Sequence, residues 1–233
     1  MTRVKICGLM NLKDIDMCVQ AGVHMLGFVV DYPEPVPWNL STAEARELIR
    51  QVPPFVSTCV VTGGSVEKVL QLANEVCPNV VQLHHKETLQ EIKEIADQLI
   101  LRGIKTIKAL RIDGQGKCDF EIADPAAAAR ALAKTGVAAI LVDAYTTSMP
   151  GGTGVTVDLS TFRTIQQESA VPVILAGGLS PTNILQIIRE TKPYAVDTLT
   201  GVEVSAGYKE RKKINSFMQG VQDSAHQLFK EIR

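Results

Sequence analysis

Short apolar runs alternate with segments whose apolar residues return at helical spacing along the whole chain. The runs are Arg3–Cys7, His24–Val30, Phe55–Val61, Asn79–His84, Lys105–Ile112, Ala138–Asp143, Val171–Ala176 and Tyr194–Thr200. Several, such as His24–Val30, are unbroken and rich in β-branched residues, as strands covered on both faces require. Between them the helical pattern is marked by start signals. Asn11 can cap a helix carrying Ile15, Cys18 and Val19, and Ser41-Thr-Ala-Glu44 reads as a capping box. Ser65 opens a segment with Val66, Val69, Leu70, Ala73 and Val76 on one face, and Leu89, Ile92, Ile95, Ala96 and Leu99 follow the same rule. Asp124-Pro125 starts an alanine-rich helix, Leu159–Gln167 a short one, and Ser180-Pro181 a third carrying Ile184, Leu185 and Ile188. Arg211–Val221 is the last, with residues 222–233 as a helical tail.

Eight strand–helix alternations of roughly thirty residues each, the size of a βα unit, run through 233 residues without a break in composition. This predicts an α/β chain folded as a single (β/α)8 TIM barrel domain over residues 1–233. The rival is an open doubly wound sheet. The evenness of the repeats and the lack of an early G-x-G-x-x-G favour the barrel.

Composition narrows the function. The formal net charge is −1, which gives no electrostatic case for nucleic acid or an anionic membrane. Aromatic residues are 5%, too few for a base-stacking platform. No apolar run reaches membrane-spanning length, and the opening MTRVKICG has no signal-peptide core. Cys7, Cys18, Cys59, Cys77 and Cys118 are scattered, odd in number and without C-x-x-C, so they read as reduced thiols of a cytoplasmic protein.

In a barrel, chemistry gathers at the C-terminal ends of the strands, and phosphate near the loops after the seventh and eighth. Gly177-Gly178 follows the seventh predicted strand and Thr200-Gly201 the eighth, with Val202 and Glu203 placed to begin a short helix aimed at an anion. A further glycine-rich loop, Met149–Gly154, follows the sixth. These are phosphate candidates, and the alternative for the Gly-Gly corner is a tight turn without a ligand. Cys7 ends the first strand, where it is either a general base or an inert small hydrophobe. Asp143 ends the sixth, where it is either an acid–base partner or a pin for the next loop. Gln82 and His84 alternate with Leu83 and so share one side of their strand. Asp197, near the exit of the last strand, can orient a sugar hydroxyl or pair with a loop. The histidines form no convincing metal set, so no metal is expected.

Together these residues resemble the phosphoribosylanthranilate isomerase family of tryptophan biosynthesis. The resemblance rests on Val4-Lys-Ile-Cys-Gly8 with Asn11-Leu12, Val81-Gln-Leu-His84, and Val142-Asp143 before Gly151-Gly-Thr-Gly154. It continues in Leu175-Ala-Gly-Gly-Leu179 with Pro181 and Asn183, Tyr194-Ala-Val-Asp197 and Gly201-Val-Glu203. It implies an Amadori rearrangement of a phosphorylated sugar-amine without a cofactor. Asp143 would be the general acid that opens the ribose ring, and Cys7 the general base that takes the C2 proton. Gly154, Gly177, Gly178, Thr200 and Gly201 would hold the phosphate, and Gln82, His84, Asp197 and Trp38 the rest of the substrate. The resemblance is to a divergent member. Val36-Pro-Trp-Asn-Leu-Ser41 stands where the family usually has Ser-Pro-Arg-Tyr-Val-Ser, so Trp38 replaces an arginine expected to pair with the anthranilate carboxylate. His85-Lys86 replaces Gly-Asp, Leu199-Thr200 replaces Ser-Ser, and the third strand ends Val60-Val-Thr62 where Phe-Val-Asn is usual. The residues leave two other readings: a related isomerase for another phosphorylated aminosugar or aldose, and a catalytically silent phosphosugar-binding protein.

Overall fold

The expected strands pair in parallel and close on themselves. The computed structural model describes residues 2–144 and 158–231. In it the ring runs through β1 (Arg3–Ile6), β2 (Met25–Val30), β3 (Ser57–Thr62), β4 (Val80–Leu83), β5 (Lys105–Ile112), β6 (Ala139–Ala144), β7 (Val173–Leu175) and β8 (Ala195–Thr198). β1 is bonded to both β2 and β8, which excludes the open sheet. The helices are α1 (Leu12–Gln20), α2 (Thr42–Ile49), α3 (Val66–Val76), α4 (Leu89–Ile100), α5 (Pro125–Leu132), α6 (Leu159–Glu168), α7 (Ile184–Thr191) and α8 (Arg211–Glu231).

The period of two along each strand divides the apolar residues into two cores. Val4, Ile6, Leu26, Phe28, Val81 and Leu83 face the helices. Val29, Cys59, Val61, Val80, Ile107, Leu141 and Ile174 fill the barrel, together with the small Ala109, Ala139, Ala176 and Ala195. Those small residues leave space inside the ring for the longer polar side chains described below.

The caps behave as the sequence predicts at most ends. Asn11 accepts the N–H of Asp14 at 2.9 Å, Ser41 and Glu44 form the full capping box, and Asp124 caps α5 with Pro125 at its first position. Most strands begin or end a residue or two from the expected bounds, and three differences have a visible cause. The α7 start expected at Ser180-Pro181 is early: residues 181–183 are a turn and Asn183 is the N-cap. Its side chain accepts the Ser180 N–H and donates to the Gly178 carbonyl, both at 2.9 Å, so the turn is tied back to the glycine corner. β3 begins at Ser57, because Phe55 sits fully exposed with φ +71° and breaks the extended run. β8 stops at Thr198. A single 3-10 turn, Thr200–Val202, and a hairpin of Glu203–Ser205 with Tyr208–Lys209 follow. The helix expected to start at Val202-Glu203 is therefore absent, and Glu203 belongs to the hairpin.

Behind the ring, Lys108 on the outward side of β5 is 1% exposed. Its ammonium donates to Glu87 at 2.5 Å and to the His85 carbonyl at 2.7 Å, fastening the loop after β4 to β5. Burial lowers the Lys108 pKa, and Glu87 opposes that fall. Removing one partner of a buried pair leaves an uncompensated charge. Glu87→Ala is expected to lower the unfolding free energy in urea by about 3–5 kcal/mol. Lys108→Met/Glu87→Met is expected to lose clearly less; equal losses would assign the cost to packing and not to charge.

Candidate active site

A cavity open to solvent sits over the C-terminal ends of the strands. The inward parity of each strand supplies its walls. Cys7 continues Lys5 of β1, Gln82 and His84 continue Val80 of β4, Asp143 continues Leu141 of β6, and Asp197 continues Ala195 of β8. The cavity brings together Cys7, Asp143, Gln82, His84, Asp197, Trp38, Gly177, Gly178 and Thr200. Gly201 stands just behind, where a Cβ would collide with the Leu179 carbonyl; its lack of a side chain lets the corner after β8 pack against the corner after β7. Thr198 adds a hydrogen bond between the same corners, donating to the Leu179 carbonyl at 2.8 Å. Gly154 lies outside the described residues.

Asp143 has two neighbours of note. Oδ1 accepts the N–H of Ala144 at 2.9 Å, and Oδ2 lies 3.6 Å from His84 Nε2. Gln82 Nε2 is 3.0 Å from His84 Nδ1. With the Gln82 amide as donor, Nδ1 accepts and the ring proton falls on Nε2, the nitrogen facing Asp143. Tyr32 holds this histidine from the other side, its hydroxyl donating to the His84 carbonyl at 2.8 Å. Burial first, then the nearby Asp197, pushes the Asp143 carboxyl up to about 7. The Ala144 N–H, Lys5 and Arg111 pull the other way. A carboxyl poised there can both carry and release a proton near neutrality.

Cys7 is 5% exposed. Burial pushes its thiol up, and the strongest opposing influence is Lys5. Lys5 itself is directed at Asp197 Oδ2, 2.6 Å away. The other oxygen, Asp197 Oδ1, has no partner among the described residues, and neither has the buried Gln82 Oε1. Both belong to residues that line the cavity, and each leaves an acceptor unsatisfied there.

Trp38 is buried at 4% exposure and packed over the exit of β1. Its indole N–H donates to Glu203 at 2.9 Å, and Glu203 also accepts from Lys209 Nζ at 2.8 Å and the Gly207 N–H at 3.1 Å. Glu203, expected to begin a helix aimed at an anion, instead turns its carboxylate to fixing Trp38. The indole is left with its face, and no donor, for a ligand. Gly177 and Gly178 both have left-handed φ, +83° and +62°, which bends the chain sharply at the mouth.

Three residues important here were not singled out by the sequence: Lys5, Tyr32 and Arg111. The inward parity of Ile107 and Ala109 extends to Arg111, which is 2% exposed, in register with Asp143, and paired with Asp119. That parity was the available signal.

Residues 4–220 match the family model described as N-(5'phosphoribosyl)anthranilate (PRA) isomerase. The N-(5'-phosphoribosyl)anthranilate isomerase of Haloferax volcanii is 37% identical over 219 residues, 94% of this chain and 92% of that protein. That of Acinetobacter calcoaceticus is 35% identical over 222 residues, 95% of this chain and 97% of its own. The crystal structure of phosphoribosyl anthranilate isomerase from Thermotoga maritima superposes with a TM-score of 0.79 at 32% identity, covering 96% of this chain and 100% of that one. A phosphoribosyl anthranilate isomerase in complex with reduced 1-(o-carboxyphenylamino)-1-deoxyribulose 5-phosphate gives 0.75 at 30% identity, with 96% and 100% covered.

The Asp143 environment has a measurable consequence for stability. Its folded pKa is raised, so its ionisation costs the folded state nothing at acid pH and progressively more as pH rises from about 4 through about 7. Asp143→Asn is therefore expected to be more stable than the parent at about pH 8, by on the order of 2–4 kcal/mol, with the gain nearly gone at about pH 4. Urea unfolding at the two pH values checks this. A difference that does not change with pH would return Asp143 to the ordinary carboxylate range.

Proposed function

Since the chain belongs to the N-(5'-phosphoribosyl)anthranilate isomerase family, we propose that Cys7 and Asp143 carry the proton transfers of its Amadori rearrangement. The enzyme is an isomerase, an intramolecular oxidoreductase of tryptophan biosynthesis. It converts N-(5'-phosphoribosyl)anthranilate to the carboxyphenylamino-deoxyribulose phosphate, so C1 is reduced and C2 oxidised within one molecule. The observation that carries the assignment is the placement of a thiol and a carboxyl, from β1 and β6, on one cavity with β7 and β8 between them.

In this reading Asp143 gives its proton to the ring oxygen as the C1–O bond breaks, leaving an iminium at C1. The iminium acidifies the C2 proton. Cys7, as thiolate, removes it, and the electron pair becomes the C1–C2 double bond of a neutral enolamine. Return of a proton to C1 and loss of one from the C2 hydroxyl give the ketone. Over the cycle the proton gained by Cys7 and the one lost by Asp143 balance. The substrate's own nitrogen is the electron sink.

The phosphate is assigned to the mouth formed by Gly177, Gly178 and Thr200, with Gly201 as its support. Anchoring that distant group fixes the sugar for proton transfer. Asp197 Oδ1 and Gln82 Oε1, buried acceptors without partners among the described residues, suit the ribose hydroxyls. The anthranilate ring is assigned to the face of Trp38. The related isomerase for another aminosugar and the silent binding protein gain no support from the comparisons.

Cys7→Ala and Asp143→Asn are each expected to lower kcat by about 10²–10⁴-fold, the usual contribution of a general base or acid, while binding of the product survives. Loss of substrate fluorescence reports turnover, and near-normal turnover in either variant removes that residue from the mechanism.

Stacking on an aromatic face contributes about 0.5–1.5 kcal/mol beyond burial. Trp38→Leu is therefore expected to raise KM for phosphoribosylanthranilate by about 2–10-fold with kcat largely kept. Steady-state kinetics decide the matter, since an unchanged KM would mean that the indole does not meet the aryl ring.

A further inference from the structure

Lys5 and Cys7 are successive inward positions at the exit of β1. Their side chains share the space left by Gly27 on β2: a Cβ at residue 27 would stand 2.8 Å from Cys7 Sγ and 3.0 Å from Lys5 Cε. Lys5 is 3% exposed and in register with Asp197, so its ammonium is held on the barrel axis side of the seam between β1 and β8. We propose that Lys5 is a positioning residue for the isomerisation: its ammonium, pinned by Asp197 beside the Cys7 side chain, eases formation of the thiolate that takes the C2 proton. This rests on the reading of Cys7 as the general base.

A buried thiolate needs a cation nearby, because burial by itself favours the neutral thiol. The charged and titratable groups around Cys7 are few. Lys5 lies on its own strand, Cys59 on β3, Asp197 on β8, and Lys209 on the hairpin after β8. Cys59 is a neutral thiol, pushed up to about 12 by burial. Lys209 is engaged by Glu203 and by the Leu199 carbonyl. Lys5 lowers the Cys7 pKa by more than Asp197 raises it. Lys5 also keeps its proton: burial opposes the charge, but Asp197 leads the influences that lift its pKa above the ordinary value. Asp197 Oδ1 faces no protein donor among the described residues. A sugar hydroxyl donating there would draw on the aspartate's charge and leave Lys5 the stronger influence on the thiol.

The test is the pH dependence of iodoacetamide alkylation at Cys7, read by peptide mass spectrometry. It reports the thiol pKa in each variant whatever the turnover. Lys5→Met is expected to move the midpoint up by about 1–3 pH units, and to move the acidic limb of kcat in the same direction. Activity lost at neutral pH should then return in part in alkaline buffer. Lys5→Arg is expected to stay close to the parent. Asp197→Asn is expected to shift the midpoint the other way, because Lys5 then acts without its counter-charge. Lys5→Met/Asp197→Asn leaves no buried unpaired charge and serves where Lys5→Met does not fold; its midpoint should also lie above that of Asp197→Asn. An unmoved midpoint in the lysine variants would overturn the proposal and leave Lys5 as a structural counter-ion to Asp197. Near-normal turnover of Cys7→Ala would instead overturn the reading of Cys7, and with it the role of Lys5 in the reaction, even where the midpoint moves.

Discussion

The ring closes where β1 meets β8, and at that seam a lysine and an aspartate are buried against each other at 2.6 Å. Closure fixes which side of every strand faces inward, so a residue's parity decides whether it reaches the helices or the cavity. An ion pair inside the ring is a weak source of net stability, because both charges give up water. It is a strong constraint on geometry, because neither partner can leave without exposing the other to an apolar wall. Lys5 is held below the mouth by this pairing, and Asp197 is left with one oxygen unpaired.

The same parity explains how much of the site was legible in the chain. Gln82 and His84 could be placed together from their spacing alone, and Cys7 and Asp143 from their positions at strand ends. Lys5 could not. Arg3-Val4-Lys5-Ile6-Cys7 alternates polar and apolar residues, which in isolation reads as a strand with one solvated face. Only its neighbour on β8, far along the chain, turns that polar face into a buried one. Arg111 was hidden for the same reason: the inward phase of Ile107 and Ala109 carries through to it, but a buried arginine is unexpected without sight of Asp119.

Local signals lost where a tertiary bond competed with them. Ser180-Pro181 has the chemistry of a helix start, yet α7 begins later because Asn183 spends both ends of its amide on Ser180 and on Gly178. The outcome serves the cavity, since it braces the two left-handed glycines against the helix that follows. Glu203 is a similar case. An acidic residue soon after a glycine corner suggested a helix start, but three donors from Trp38, Gly207 and Lys209 converge on its side chain. The indole at residue 38 is thereby fixed in place by its neighbours.

On the assignment proposed above, the cavity asks opposite things of Asp143 as acid and Cys7 as base, while burial treats them alike. It raises the pKa of Asp143 and of Cys7 together. For Asp143 this is useful, because an acid must arrive carrying its proton, and Asp197 pushes in the same direction. For Cys7 it is harmful, because a base must arrive without one. A single low-dielectric site can supply both only if charge is distributed unevenly within it. The distribution found here has that form: Asp197 raises both groups and Lys5 lowers both, but Lys5 outweighs Asp197 at Cys7 and falls behind it at Asp143. The asymmetry comes from covalent geometry, since Lys5 and Cys7 are two residues apart on one strand and Asp143 stands on another, with β7 and β8 between.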